Sequence, residues 1–388
     1  MVNIEPSLDV EPQVAAVLAR KRQKRNLPAY KPRARSEIQS LTQSFIEQQN
    51  DSYAGHKVQN LLRLTGGASK ELFRFALIAP GGSSQSYVLR MNPPESVIET
   101  SLSREFEALR AFEGIVPVPK AICIDADGSH FGTPSMITSL VTGVTKPLGA
   151  PGGGGGVSGL GINVGTPWRK LLAEPFIKHL VAIHNFDCQS ADLPSYSVPN
   201  AYPQQAARRQ VDWWTQAWID DVVDPNPLIV TAENWMRNNL PSCDEIVFLH
   251  SDYRTGNYLI DEQNQTISAI LDWELSHLGD FHDDIAWVIS KVFGHLDEQG
   301  QFLVSGLMPR QEFLDRYMQA TGRNINPKTL HFYEILNNYK VAVELLASAY
   351  RTAIEAHNHQ SVLQIWLVSC GHVFISEVCR LLEEGPRS

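Results

Sequence analysis

One change of texture divides this chain. In residues 57–140 the apolar side chains come in short runs, at 58–64, 72–78, 86–90, 121–125 and 135–140, parted by Gly- and Pro-bearing turns. That pattern predicts strands. One helix interrupts them at 102–112, with Leu102, Phe106, Leu109 and Phe112 on one face. Beyond Trp168 the spacing lengthens to three and four, and helices are predicted at 170–186, 204–218, 229–239, 284–293, 309–321, 330–355 and 361–384. Strands gathered first and helices later give an α+β chain, not the alternation that builds a parallel sheet. At 388 residues the chain is long enough for two lobes.

Residues 1–54 read as an N-terminal extension with helices at 14–25 and 36–49, residues 55–143 as the sheet lobe and its exit, and residues 144–388 as the helical lobe. Between them lies an insertion, 147–167, with nine glycines, five of them consecutive at 152–156. Glycine loses too much backbone entropy on ordering to build a core, so the insertion is expected to be poorly packed and dispensable for folding. A lid over a cleft is the sharper alternative.

The net charge of −9 argues against general nucleic-acid affinity. Eight basic residues nevertheless crowd positions 20–35, where a solvated arm is expected and an anion clamp is the alternative. Five scattered cysteines without a CxxC pair suit a reducing compartment. The N-terminus shows no signal-peptide pattern, and the charge-free stretch 356–376, broken by His357, Asn358, His359, Gln360 and Gln364, reads as a buried helix and not a membrane span. A cytoplasmic protein with no membrane partner is expected; its oligomeric state is open.

Residues 246–274 carry the chemistry. An apolar run ends at His250-Ser251-Asp252, a polar loop reaches Asn257, and two further apolar runs lead to Asp272-Trp273-Glu274. Asp252, Asn257 and Asp272 thus stand at strand ends, offering oxygen donors without sulfur, the set a hard cation such as Mg²⁺ prefers. The spacing H-x-D-x-x-x-x-N is that of a kinase catalytic loop.

With Gly279-Asp280 and Asp284 following, these motifs resemble the aminoglycoside phosphotransferase-like family of small-molecule kinases, closest to the branch that includes the kinase-like domain fused to some acyl-CoA dehydrogenases. The resemblance covers roughly residues 55–375. It implies a two-lobed protein-kinase-like fold, and ATP-dependent transfer of the γ-phosphoryl group to a hydroxyl of a small molecule. ATP and Mg²⁺ would be the cofactors. Asp252 would be the base, His250 would brace the loop, Asn257 and Asp272 would hold the metal, and Asp284 would tie the loop to the next helix. Gly66, Gly67 and Ser69 would cover the phosphates, with Lys70 adding a contact. Arg90, paired with Glu105, would face the nucleotide, and Ser139 and Val141 would meet the adenine at the hinge. Ser251 departs from the family's usual Gly.

Two other classes stay open at this stage. His250, Asp252, His277, His282 and Asp283 could make a metal-dependent hydrolase, and a nucleotide-binding pseudokinase would keep the fold without turnover. For the acceptor, the acidic helical lobe suits an aminoglycoside, whereas the branch implies a hydroxylated metabolite such as a hydroxyacyl-CoA. Trp213, Trp214, Trp218 and Trp235 read as helix core in preference to a pocket wall.

Overall fold

The computed structural model describes residues 8–26, 28–64, 69–151 and 161–386. Gly66, Gly67 and the glycine run 152–156 lie outside the described residues. Two helices come first, α1 (Pro12–Lys24) and α2 (Arg35–Gln49). Five strands follow: β1 (Lys57–Arg63), β2 (Glu71–Ile78), β3 (Ser84–Met91), β4 (Ala121–Asp125) and β5 (Ser135–Ser139). They form one antiparallel sheet in the order β1-β2-β3-β5-β4. The alternation read from the sequence is the reason: Tyr87, Leu89 and Met91 turn to one side of β3 and are buried. Phe73, Phe75, Leu77, Leu89 and Ile137 pack there against Ile38, Phe45 and Ile46 of α2.

Helix α3 (Leu102–Phe112) crosses the opposite side, between β3 and β4 in the chain. Its Phe112 meets the rings of Phe186, Phe248 and Trp273, so α3 is rooted in the core of the helical lobe. That core is built by α4 (Thr166–His184), α5 (Gln205–Asp221) and α6 (Pro227–Asn238), then β6 (Val247–Leu249), β7 (Tyr258–Asp261), β8 (Thr266–Ile270), β9 (His277–Gly279) and α7 (His282–Val288). A small sheet, β10 (His295–Leu296), β11 (Phe302–Val304) and β12 (Met308–Pro309), precedes α8 (Arg310–Thr321), α9 (Pro327–Val343), α10 (Tyr350–Ile354) and α11 (Ser361–Glu384). Side-chain caps mark two starts: Asn226 accepts from the Leu228 amide, and Asn326 from those of Lys328 and Thr329.

Four expectations change. The basic run is no solvated arm: Lys21 is buried in a pair with Asp221, Arg25 also reaches Asp221, and Arg22 reaches Asp220. Helix α1 is thus clamped to α5 while α2 rests on the sheet, and the extension straddles both lobes. The region 330–355 is no uniform helix, since Glu344–Ala349 forms a π-helical turn between α9 and α10. Residues 161–165 are half-buried or buried, with Val164 in the core, and α4 begins at Thr166. Lastly, α11 is only partly covered. Val362, Ile365, Trp366 and Val373 are exposed along one face, and by length and composition it is apolar enough to cross a membrane.

Candidate active site

The loop between β6 and β7 is suspended from a single carboxylate. Asp284, in the first turn of α7 and wholly buried, accepts the His250 amide at 2.9 Å and the Ser251 amide at 2.7 Å. His184 of α4 adds a third bond through Nε2 at 3.1 Å, its Nδ1 lying 2.7 Å from the Tyr317 hydroxyl. Burial pushes the Asp284 carboxyl up, but these partners outweigh it and hold it below the usual range. His250 is neutral, because burial lowers its pKa. Its Nδ1 accepts the Asp252 amide at 3.2 Å, so Nε2 carries the proton towards the Leu271 carbonyl at 3.0 Å. One ring therefore ties the loop to the residue before Asp272.

Ser251 and Asp272 both adopt a left-handed backbone, each with φ of 66°. A glycine would sit at position 251 without strain; Ser251 offsets that strain through the bond between its Oγ and His277 Nδ1, 2.9 Å apart.

Asp252 is largely buried, with each oxygen engaged. Oδ1 accepts Arg254 Nε at 2.7 Å and Trp287 Nε1 at 2.8 Å, and Oδ2 accepts Asn257 Nδ2 at 2.5 Å. Asn257 also donates to the Asp252 carbonyl at 3.0 Å, so its amide oxygen points away from Asp252. Across the cleft, Arg90 of β3 pairs with Glu105 of α3 at 2.5 Å and lies 3.9 Å from Asp272. The predicted Arg90–Glu105 pair is therefore formed. Asp272, a third of its side chain exposed, is pushed up by desolvation and by Glu274, with Arg90 offsetting part. This surplus of negative charge is what a divalent cation would neutralise.

Other predicted contacts are arranged differently. Lys70 is buried against Glu274 at 3.0 Å and the Thr100 hydroxyl at 3.1 Å, and Ser69 also bonds Glu274. Both therefore brace the strand end after Asp272. At the hinge, the Ser139 amide is bonded to the Lys120 carbonyl and the Leu140 amide to the Ser86 carbonyl, both within the sheet lobe. Val141 follows them, and the chain then pairs Val144 with Ile260 on the catalytic hairpin. The hydrolase set is dispersed: His282 pairs with Asp280, and His277 stands beside Asp283, itself held by Lys340.

Two features escaped the sequence. A small pocket opens beside the catalytic loop, lined among others by Trp213, Trp214, Ser251, Trp287, Val341 and Glu344. Trp213 and Trp214, read as core, are buried in the core of the helical lobe, and, stacked 5.3 Å apart, they also line this pocket. Glu344 sits on the π-turn, a device that often displaces a residue at a functional site. Burial, then the Asp252 and Glu274 carboxylates, push its carboxyl up to about 8. Only the irregular turn after α9 could have hinted at it.

Comparison with known proteins agrees with this geometry. Acyl-CoA dehydrogenase family member 11 of Pongo abelii is 29% identical over 269 residues, covering 66% of this chain and 32% of that protein. The chain thus spans about a third of the length of the curated relatives it matches. A Ralstonia eutropha protein classed with the aminoglycoside phosphotransferases superposes with a TM-score of 0.64 at 22% identity, over 90% of this chain and 99% of that one. An aminoglycoside phosphotransferase solved with ADP and hygromycin B gives 0.52 at 15% identity, over 88% and 98%. The two structures share the two-lobed α+β fold. The model of the phosphotransferase enzyme family matches residues 61–333, more than half of the chain. The chain therefore belongs to the phosphotransferase enzyme family.

Proposed function

We propose that this chain is a small-molecule kinase that moves the γ-phosphoryl group of ATP to a hydroxyl of a small, largely apolar metabolite, with Asp252 as the base. The observation that carries the reading is the fixed carboxylate of Asp252, bonded to Trp287, which together with Trp213 and Trp214 lines the pocket beside the loop. In the reaction the acceptor oxygen bonds to the γ-phosphorus, the bond to the ADP oxygen breaks, and the acceptor proton passes to Asp252. Arg254 and Trp287 hold Asp252 Oδ1 in place, and Asn257 holds Oδ2, so little reorganisation is needed.

The donor set fits a hard cation. Asn257 through its amide oxygen and Asp272 through its carboxylate would hold Mg²⁺, which when bound neutralises phosphate charge. Arg90, oriented by Glu105, is placed to meet phosphate oxygens from the sheet side.

The lining favours a hydroxylated metabolite such as a hydroxyacyl-CoA over an aminoglycoside. A polycation would need several ionised carboxylates, but burial and the neighbouring carboxylates push the Glu344 carboxyl up to about 8, and Asp283 is already paired with Lys340. Protonated Glu344 is instead a hydrogen-bond donor. A cytoplasmic setting belongs to the same reading.

The test is an ATP-consumption screen with Mg²⁺ across hydroxyacyl-CoAs, sugars, amino alcohols and aminoglycosides. A hydroxylated apolar acceptor should be consumed fastest. Asp252→Asn should abolish transfer while ATP binding persists, and Asp272→Ala should weaken Mg²⁺-ATP binding and turnover together. Equal loss of ATP affinity and rate in Asp252→Asn would reassign that residue to metal binding, and faster turnover of an aminoglycoside would overturn the acceptor class.

A further inference from the structure

Away from the catalytic cleft, a second group of titratable side chains joins the two lobes. Glu95 lies on the connector between β3 and α3 and is wholly buried. Glu355 follows α10, and His357, also buried, precedes α11. Among the described residues, this is the group of three His, Cys, Asp or Glu side chains whose donor atoms all fall within 4.8 Å of one another.

The geometry is poor for hydrogen bonding. His357 Nδ1 stands 3.2 Å from Glu95 Oε2 and 3.5 Å from Glu355 Oε2. One N–H serves one acceptor well, and these separations are at and beyond the long end for such a bond. Glu355 Oε2 and the second Glu95 oxygen, Oε1, are both buried and meet no hydrogen-bond donor. Arg351, its Nε 3.5 Å from Glu355 Oε1, and the nearby Lys21 offset part of this charge, but two adjacent carboxylates, one buried and one partly buried, remain costly unless a cation stands between them. The separations do suit ligands of one ion, because donors roughly 2.0–2.1 Å from a tetrahedral cation lie about 3.3 Å apart.

The backbone already holds the donors in place. The Glu95 amide bonds the His357 carbonyl at 3.4 Å, and Asn358 Nδ2 bonds the Glu95 carbonyl at 2.8 Å. We propose that Glu95, Glu355 and His357 form a structural site for a zinc-type divalent cation that pins the sheet-lobe connector to the chain entering α11. A mixed imidazole and carboxylate set suits such borderline ions. The site stands apart from Asn257 and Asp272 and does not depend on the identity of the acceptor.

The experiment uses the full chain carrying Asp272→Asn, which disables the candidate Mg²⁺ position. After EDTA treatment and desalting it is titrated with Zn²⁺ by calorimetry and with Co²⁺ by visible absorption. One equivalent of Zn²⁺ should bind with micromolar affinity or tighter, raising the melting temperature, and Co²⁺ should give the intense bands of tetrahedral coordination. Adding His357→Gln or Glu355→Gln should remove the equivalent and the temperature shift. Glu355 is only partly buried, so its variant tests the site even if His357→Gln fails to fold. No stoichiometric Zn²⁺ in the Asp272→Asn chain, uptake unchanged by Glu355→Gln, or only the weak bands of octahedral Co²⁺ would each overturn the proposal.

Discussion

Replacing Asp284 by Asn tests the idea that the catalytic loop hangs from one carboxylate. Asp284 accepts three donors, the His250 and Ser251 amides and His184 Nε2. Asn keeps one carbonyl oxygen but turns an NH₂ group towards a donor, so at least one buried N–H loses its partner. An unmade buried hydrogen bond costs about 1–3 kcal/mol, and the remaining bonds lose their charge assistance, so the total is about 2–4 kcal/mol. Unfolding entropy of about 2.1 cal/mol/K per residue comes to about 0.8 kcal/mol/K for a chain of this length, so the melting midpoint should fall by roughly 3–5 °C. The effect on turnover should be larger. A loop displaced by about 1 Å costs on the order of 100-fold in kcat, with the KM for ATP nearly unchanged. Calorimetry and steady-state kinetics read the two effects separately. The sign with pH follows from the depressed carboxyl: its stabilisation is full above the ordinary aspartate range and is lost as pH falls through the folded-state value, so the variant should be less sensitive to acid. Parent kcat in the Asp284→Asn enzyme, with a lowered midpoint, would refute the claim that this carboxylate positions the loop.

Two further outcomes are expected from buried charge. Burial raises the Asp283 carboxyl, but Lys340 and His277 outweigh it and lower it from 3.8 to about 2. That shift corresponds to about 2 kcal/mol of stability, present above roughly pH 4 and lost as pH falls towards pH 2. Urea unfolding across that window should show the loss, and Lys340→Met should flatten it; an unchanged slope would contradict the pairing. Lys21→Met should destabilise the chain by about 3 kcal/mol, because it leaves the Asp221 carboxylate buried with one cation fewer. A change below about 0.5 kcal/mol, the ordinary size for a surface site, would mean that α1 is not clamped to α5.

Much of the fold was legible because its signals are local. Strand and helix periods are read over a few residues, and the sheet lobe and Leu102–Phe112 emerge as the spacing predicts. The loop from His250 to Asn257 is legible for the same reason, since Asp252 and Asn257 stand only five positions apart. The Arg90–Glu105 pair came from the resemblance, and the sheet and α3 do bring the two together.

What stayed hidden depends on which distant segments meet. Nothing near Lys21 announces Asp221, and nothing near Lys70 announces Glu274; each pair forms only when folding brings residues some 200 apart into contact. A charge run looks solvated in sequence because its neutralising partner lies far along the chain, and a tryptophan on a buried helix face looks like core whether or not a cavity opens beside it. Glu344 feels the Asp252 and Glu274 carboxylates from the π-turn, an irregularity no apolar period records. The sequence by itself narrowed the chemistry to phosphoryl transfer, with a hydrolase and a pseudokinase still open, because the motif residues from His250 to Asp284 stand close together along the chain. The tertiary structure alone decided which charges are paired, where the cavity opens and which carboxyl keeps its proton, because burial and charge proximity are properties of the folded interior and not of any segment.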